Sequence, residues 1–259
     1  MTTKIDKAVL LAAGRGTRMR ELTADLPKPM IKVRGKPILL HIIEGLQAAA
    51  IKNFLIIVGY HGEAVRNYFG DGTCFGLRIN YATQALQDGT GRVIDLARGF
   101  VGNSAFVLGY GDILVDPINY KRIVDLPDDV EAYISVTTGE DVSKGGAVFL
   151  NERMELVDLR EKSEPTSSAT LQVAIQQSGQ VKNAPHKEHT SPFYNAGLYA
   201  FRSSIFEFTA GLKPSPRGEY ELTDAIRHLA QSGKKVKALE LTGEWADVRD
   251  PEILAQLNR

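Results

Sequence analysis

The sequence predicts an α/β fold with a doubly wound, mostly parallel sheet and a smaller β-rich portion towards the C-terminus. Three observations carry this. Short apolar runs alternate with amphipathic segments through roughly the first half of the chain, the first run empties abruptly into a glycine-containing loop, and the alternation breaks after Gly139.

The elements follow in order. Val9-Leu10-Leu11 reads as a buried strand that stops at the small-residue loop Ala12-Ala13-Gly14-Arg15-Gly16-Thr17. Residues 31–37 read as a short extended piece closing in a turn. Pro37 then suits the first turn of a helix through Ala50, with Ile38, His41, Ile42, Gly45, Leu46 and Ala49 at helical spacing. Residues 54–58 are a strand, 63–69 a helix and 77–81 a strand, and a helix with Val93, Ile94, Leu96 and Ala97 on its apolar face follows. Residues 105–108 form a central strand ending at Gly109-Tyr110-Gly111-Asp112, 118–124 a helix and 132–137 another strand. Strand-helix alternation of this kind predicts right-handed crossovers, with ligands beyond the carboxyl ends of the strands, where the Ala12, Gln84 and Asp112 loops lie.

Beyond Gly139 the runs at 147–150 and 155–159 flank Asn151-Glu152-Arg153 as a hairpin. Residues 163–190 are polar around one strand at 171–175 and read as a mobile flap. A strand at 194–201, helices at 204–210 and 220–232, a strand at 236–241 and a helix at 251–257 complete the chain, with no internal repeat or heptad run.

Composition narrows the class. The 259 residues suit one domain, and 43% hydrophobic with 24% charged residues is ordinary globular usage. Thirty-one basic and 31 acidic residues give a formal net charge of zero, which argues against a chain that coats nucleic acid or an anionic membrane. Cys74 is the single cysteine, so no internal disulfide forms and a reducing compartment fits. The N-terminus lacks a signal-peptide apolar segment and no run approaches ~18 apolar residues. The expectation is a cytoplasmic protein without nucleic-acid or membrane partners, for which a homo-oligomer remains open.

The opening loop has the make-up of a phosphate cradle. Gly14 and Gly16 let backbone N–H groups approach a polyphosphate, and Arg15, Arg18 and Lys28 bring positive charge to the same place. A dinucleotide fingerprint is not met, because Met19 stands where the third glycine belongs and Asp25-Leu26-Pro27-Lys28-Pro29 follows where a helix should run. No P-loop string occurs. An ordinary strand-to-helix turn accounts for two glycines but not for three cations and two prolines beside them. His186 and His189 have a ligand-like spacing but no cysteine partners, and His41 and His228 fall within amphipathic helices.

The order of motifs resembles the sugar-1-phosphate nucleotidylyltransferases over nearly the whole chain. The resemblance rests on Leu11-Ala12-Ala13-Gly14-Arg15-Gly16-Thr17-Arg18-Met19, Pro27-Lys28-Pro29-Met30, Gly35-Lys36-Pro37, the Gln84 to Gly89-Thr90 spacing, Gly111-Asp112, Glu161-Lys162, Asn195-Ala196-Gly197 and Trp245-x-Asp247. It implies a Rossmann-like nucleotidyltransferase fold, with residues 1–138 mainly binding nucleotide and 139–259 forming the β-rich sugar-phosphate half. It also implies transfer of a nucleotidyl group from an NTP to a sugar 1-phosphate with release of pyrophosphate, by Mg²⁺-assisted in-line attack on the α-phosphorus. A phosphate monoester has a second pKa near ~6, so the nucleophile arrives ionised and needs no general base. The difficulty lies in bringing two polyanions together and neutralising the leaving pyrophosphate.

Carried over by position, Arg15 and Lys28 would hold the β- and γ-phosphates, and Asp112 would act beside them, sharing Mg²⁺ with Asp247. Leu11, Ala12, Ala13, Gly14, Gly16, Thr17 and Arg18 would surround the nucleotide, with Gln84, Gly89 and Thr90 at its base. Gly146, Glu161, Lys162 and Asn195 would contact the sugar and its phosphate. The Ala12-Ala13 start resembles uridylyl, thymidylyl and cytidylyl members more than guanylyl ones, so UTP is favoured with dTTP or CTP open. The family often reads Glu-Lys-Pro, whereas this chain has Glu161-Lys162-Ser163-Glu164-Pro165, which leaves the sugar open. Two alternatives stand beside this reading: a CTP-dependent cytidylyltransferase acting on phosphocholine or inositol phosphate, and a nucleotide-sugar sensor that keeps the fold without catalysis.

Overall fold

The computed structural model describes residues 2–161 and 193–259. Lys162, the segment 163–190 with its strand at 171–175, His186 and His189 lie outside the described residues. Strands β1 (Lys7–Ala12), β2 (Asn53–Val58), β3 (Arg78–Thr83), β4 (Phe106–Tyr110), β5 (Ala132–Thr137), β6 (Ala147–Leu150), β7 (Leu156–Arg160), β8 (Phe193–Phe201) and β9 (Val236–Glu240) form one nine-stranded sheet among the described residues. Its order is β7-β6-β8-β4-β1-β2-β3, with β5 pairing β8 and β9.

The sheet is parallel across β4, β1, β2 and β3, where helical crossovers connect the strands, and Val9 pairs with Leu55 and Leu108 on its two sides. Strand β8 then enters antiparallel between β4 and β5. The sheet is therefore mixed, and the 132–137 strand does not join the parallel block directly, as a self-contained first half would require.

Alternation along β1 explains why its run is apolar throughout. Ala8, Leu10 and Ala12 point to the core layer that includes helix α1 (Ile38–Ala48), while Val9 points to the opposite layer with α7 (Leu222–Gln231). Such a strand, covered on both faces, has no solvent side to carry polar residues. Numbering of the intervening helices is α2 (Gly62–Phe69), α3 (Thr90–Val93), α4 (Arg98–Val101), α5 (Pro117–Ile123) and α6 (Ile205–Thr209), and α8 (Pro251–Leu257) ends the chain.

Local differences from the sequence reading have identifiable causes. Pro37 pairs with Lys32 in a two-residue ribbon closed by Arg34 and Gly35 at positive φ, so α1 starts one residue later. The helix expected to carry Val93, Ile94, Leu96 and Ala97 is broken into α3, a 3₁₀ turn at Ile94–Ala97 and α4, and Leu96 is exposed. Short ribbons that no periodicity announces pair Thr2–Lys4 with Asp125–Pro127 and Trp245–Asp247 with Ile113–Val115. Among the described residues no helix is long and apolar enough to cross a membrane.

Candidate active site

The carboxyl ends of β1, β3 and β4 converge on one edge of the sheet, and the loop after β1 is shaped there by Gly16. This residue holds φ 62°, and its carbonyl accepts from Met19 N–H at 2.8 Å and from the Thr23 hydroxyl at 3.1 Å. A Cβ on Gly16 would lie 2.8 Å from the Lys28 Cβ, so glycine lets the lysine stem pack against the loop. Lys28 opens the short 3₁₀ turn Lys28–Met30 between Pro27 and Pro29, which stiffen the backbone on either side.

Lys28 is 9% exposed and carries the central charge of the site. Its ammonium donates to Asp112 Oδ2 and stands 3.8 Å from Asp247 Oδ1. Gly111 N–H binds the Leu11 carbonyl at 2.9 Å, and Val248 N–H binds the Asp112 carbonyl at 3.0 Å. The Trp245–Asp247 ribbon places Asp247 opposite Ile113. Residues 135 positions apart in sequence thus meet through backbone pairing, as the sequence reading requires of the two carboxylates.

Burial pushes the Asp247 carboxyl above its ordinary range, and the negative charge of Asp112 pushes it further; Lys28, Arg249 and Arg18 pull it back. Two carboxylates that repel each other around one ammonium can accept further positive charge. Among the described residues no group of three or more His, Cys, Asp or Glu could hold a metal. A pair of carboxylates nonetheless fits Mg²⁺, which takes one or two protein oxygens and completes its shell with phosphate and water.

Arg15 and Arg18 are exposed, and the Arg15 guanidinium lies 5.8 Å above the Tyr60 ring. Ala12 and Ala13 are buried, Leu11 half-buried, and Gly14 and Thr17 exposed at the loop tip. Gln84 N–H binds the Val58 carbonyl at 2.8 Å, and its side-chain amide reaches the Gly89 carbonyl at 3.5 Å. Gly89 holds φ 116° with Tyr220 behind it, and Thr90 accepts from Leu222 N–H at 3.2 Å. A cavity of about 340 Å³ is lined by Arg15, Gly59, Tyr60 and residues 83–87.

On the other side of the edge, Asn195 N–H binds the Gly146 carbonyl at 2.9 Å. The Trp245 indole donates to the Ala196 carbonyl at 3.0 Å, which ties the Asn195-Ala196-Gly197 stretch of β8 to the ribbon bearing Asp247. Glu161 accepts from the Thr223 hydroxyl at 2.9 Å and from Arg217 at 3.4 Å.

The family model described as "Nucleotidyl transferase" matches residues 7–259, nearly the entire chain. The chain belongs to this nucleotidyl transferase family. Within it, the chain is 34% identical over 253 residues to the bifunctional protein GlmU of Methanococcus maripaludis, covering 97% of this chain and 53% of that protein. It is 29% identical over 259 residues to a glucose-1-phosphate thymidylyltransferase of Streptomyces griseus, covering 98% of this chain and 65% of the other. A crystal structure from Bacillus anthracis, solved as a candidate glucose-1-phosphate thymidylyltransferase in complex with a sucrose, superposes with TM-score 0.77 at 25% identity, over 97% of this chain and 93% of that one. The chain spans about half the length of the first curated relatives it matches. These matches identify it as a sugar-1-phosphate nucleotidylyltransferase family member with the α/β fold of that family.

Some side chains at this candidate site escaped the sequence reading. The Tyr60 ring lies under the Arg15 guanidinium, and the Gln87 amide donates to the Ala13 carbonyl at 3.0 Å. Gln87 lies three residues after Gln84, and its loop position was a usable signal. Arg217 and Thr223 reach Glu161 only through the packing of α7 and its preceding loop, for which no local pattern exists.

Proposed function

We propose that this chain transfers a nucleotidyl group from an NTP, UTP in preference to dTTP or CTP, to a sugar 1-phosphate and releases pyrophosphate. The observation that carries the reading is the meeting of Lys28, Asp112 and Asp247 beside the Gly14–Arg18 loop at the carboxyl ends of the strands. The names of family relatives that act on glucose 1-phosphate support a sugar-phosphate acceptor. Residues 1–138 supply most of the nucleotide side and 139–259 most of the sugar side.

In this reading the Gly14 and Gly16 backbone cradles the polyphosphate, and Arg15 and Arg18 close over it from the exposed rim. Lys28 moves its ammonium from Asp112 towards the β- and γ-phosphates and neutralises the charge that grows on the departing pyrophosphate. The attacking phosphate monoester is ionised at neutral pH, so no side chain need remove a proton. Gln84, Gly89 and Thr90 face the base. Gly146, Glu161 and Asn195 orient the sugar, with Lys162 beside its phosphate. Asp112 and Asp247 would hold Mg²⁺, which when bound supplies further charge neutralisation for the phosphate oxygens.

The test is Lys28→Ala. Turnover should fall on the order of 100-fold to 1000-fold, the usual loss for one preorganised charge donor. The melting temperature should fall modestly without loss of the fold, because the buried lysine stem no longer packs against the Gly16 loop while the Asp112 and Asp247 side chains, 31% and 24% exposed, are solvated by water. Undiminished turnover in a folded variant would contradict the assignment.

A further inference from the structure

The loop that carries Arg15 and Arg18 leaves β1 at Ala13, passes through a 3₁₀ turn at Thr17–Thr23 and comes back at Ala24, and Tyr60 meets it all along the way. Tyr60 stands at the corner between β2 and α2. It gives its backbone N–H to the Ala13 carbonyl at 3.3 Å, its ring to the Arg15 guanidinium at 5.8 Å from the centroid, and its hydroxyl to the Ala24 carbonyl at 2.9 Å. Gly59 lets the corner come this close, since a Cβ there would lie 2.7 Å from the Ala13 carbonyl oxygen. Neighbouring side chains reinforce both ends of the loop. The Gln87 amide also donates to the Ala13 carbonyl, at 3.0 Å, and His61 Nε2 lies 3.0 Å from the Ala24 carbonyl. A carbonyl only accepts, so that His61 nitrogen carries the proton.

The contact in the middle differs in kind from the two ends. Among the described residues Arg15 makes no ion pair or side-chain hydrogen bond, and its guanidinium rests against the Tyr60 ring alone. An aromatic face attracts a guanidinium through the ring quadrupole and uses none of its N–H donors. A carboxylate in the same place would occupy those donors and compete with a phosphate for the charge. Lys28 shows the contrast, since its ammonium is bound to Asp112 and has to leave that carboxylate before it meets a phosphate.

We propose that Tyr60 is a positioning residue for the polyphosphate of the NTP: its ring holds the Arg15 guanidinium with every donor free, and its N–H and hydroxyl fix the two ends of the loop that bears it. This rests on the reading that the loop and Arg15 hold the β- and γ-phosphates. Tyr60 then acts on the ligand only through Arg15, so its effect is felt by a triphosphate and not by a monophosphate. The same ring lines the cavity of about 340 Å³ together with Gln84 and Gln87, and a direct contact with the nucleoside is the competing role. That role would be felt equally by both.

The experiment is calorimetric binding of UTP and UMP to the full chain with Mg²⁺, with melting temperatures and pyrophosphate release recorded in parallel. Where the wild type binds dTTP or CTP more tightly, that nucleotide and its monophosphate take their place. Tyr60→Leu should weaken UTP about fivefold and UMP less than about twofold, the worth of a cation held over a ring. Tyr60→Phe keeps the ring while His61 still holds the Ala24 carbonyl, so UTP should stay within about twofold. In an Arg15→Ala background, Tyr60→Leu should weaken UTP by less than about a further twofold, because the ring has no guanidinium left to hold. Tyr60→Met carries the same expectations if Tyr60→Leu unfolds. Equal weakening of UTP and UMP, unchanged or tighter UTP, or full additivity with Arg15→Ala would overturn the positioning role alone. A wild type that binds UTP but releases no pyrophosphate with any hexose 1-phosphate would overturn the transfer reading and not this inference, and one that binds no NTP would overturn both.

Discussion

Gly89 holds φ 116°, and a Cβ there would lie 2.3 Å from the Tyr220 carbonyl oxygen and 2.5 Å from its nitrogen. Both contacts are with backbone that is itself pinned, Tyr220 N–H to the Asp88 carbonyl and Tyr220 C=O to Gly91 N–H, each at 2.7 Å. Neither side can yield cheaply. Gly89→Ala should therefore cost on the order of 2 kcal/mol and raise KM for the nucleotide, measured by urea unfolding and by kinetics at saturating sugar phosphate. A nearby titration gives a second test. Burial holds the Glu221 carboxyl above its ordinary value of 4.5, the hydrogen bond from Arg217 pulling it partly back. The folded chain thus binds this proton more tightly than the unfolded chain. Between 4.5 and the raised folded value, stability falls as pH rises, and the full cost stands above it. In Glu221→Gln the unfolding midpoint should lose this part of its slope over that acidic window; an unaltered slope would show that Glu221 is not its source.

At the scale of elements, the site depends on a ribbon that local sequence does not announce. Asp247 is delivered by pairing Trp245–Asp247 with Ile113–Val115, and the fully buried Asn119 in α5 holds the approach. Its side chain donates to the Thr242 carbonyl at 2.8 Å and accepts from Thr242 N–H at 3.1 Å. Asn119→Ala should cost about 2 kcal/mol, because two backbone groups of Thr242 lose their partner, and turnover should fall with it as Asp247 drifts. Retained stability and turnover would show that the ribbon holds itself. The same elements show what was legible in the sequence. The run at 54–58 reveals its strand because a buried parallel strand is apolar at every position, and 132–137 does so by its β-branched and aromatic residues although Ser135 and Thr137 interrupt it. The ribbons are two or three residues long, too short for any period, and neither Gly nor Pro stands within the 3₁₀ turn Ile94–Ala97 to announce the break there.

Across the whole molecule, strand order was the least legible feature. Hydrophobic runs identify strands but do not say which two are neighbours, and β8 enters between β4 and β5 from 56 residues beyond the end of β5. That insertion carries Asn195 to the edge where the Thr90 and Asp112 loops end, so one continuous sheet supports both proposed substrate sides. The site residues were readable where small residues and cations crowd a loop, as at Gly14 to Lys28. They were not readable where, as with Arg217 or Tyr60, a single side chain arrives from a distant element. The most direct test of the central claim is pyrophosphate release from UTP, dTTP, CTP, GTP and ATP, each paired with hexose 1-phosphates, phosphocholine and inositol phosphate, with and without Mg²⁺. The account predicts release with a pyrimidine NTP, UTP first, and a hexose 1-phosphate, dependent on the metal. Release only with phosphocholine or inositol phosphate, or nucleotide-sugar binding with no release from any pair, would contradict it.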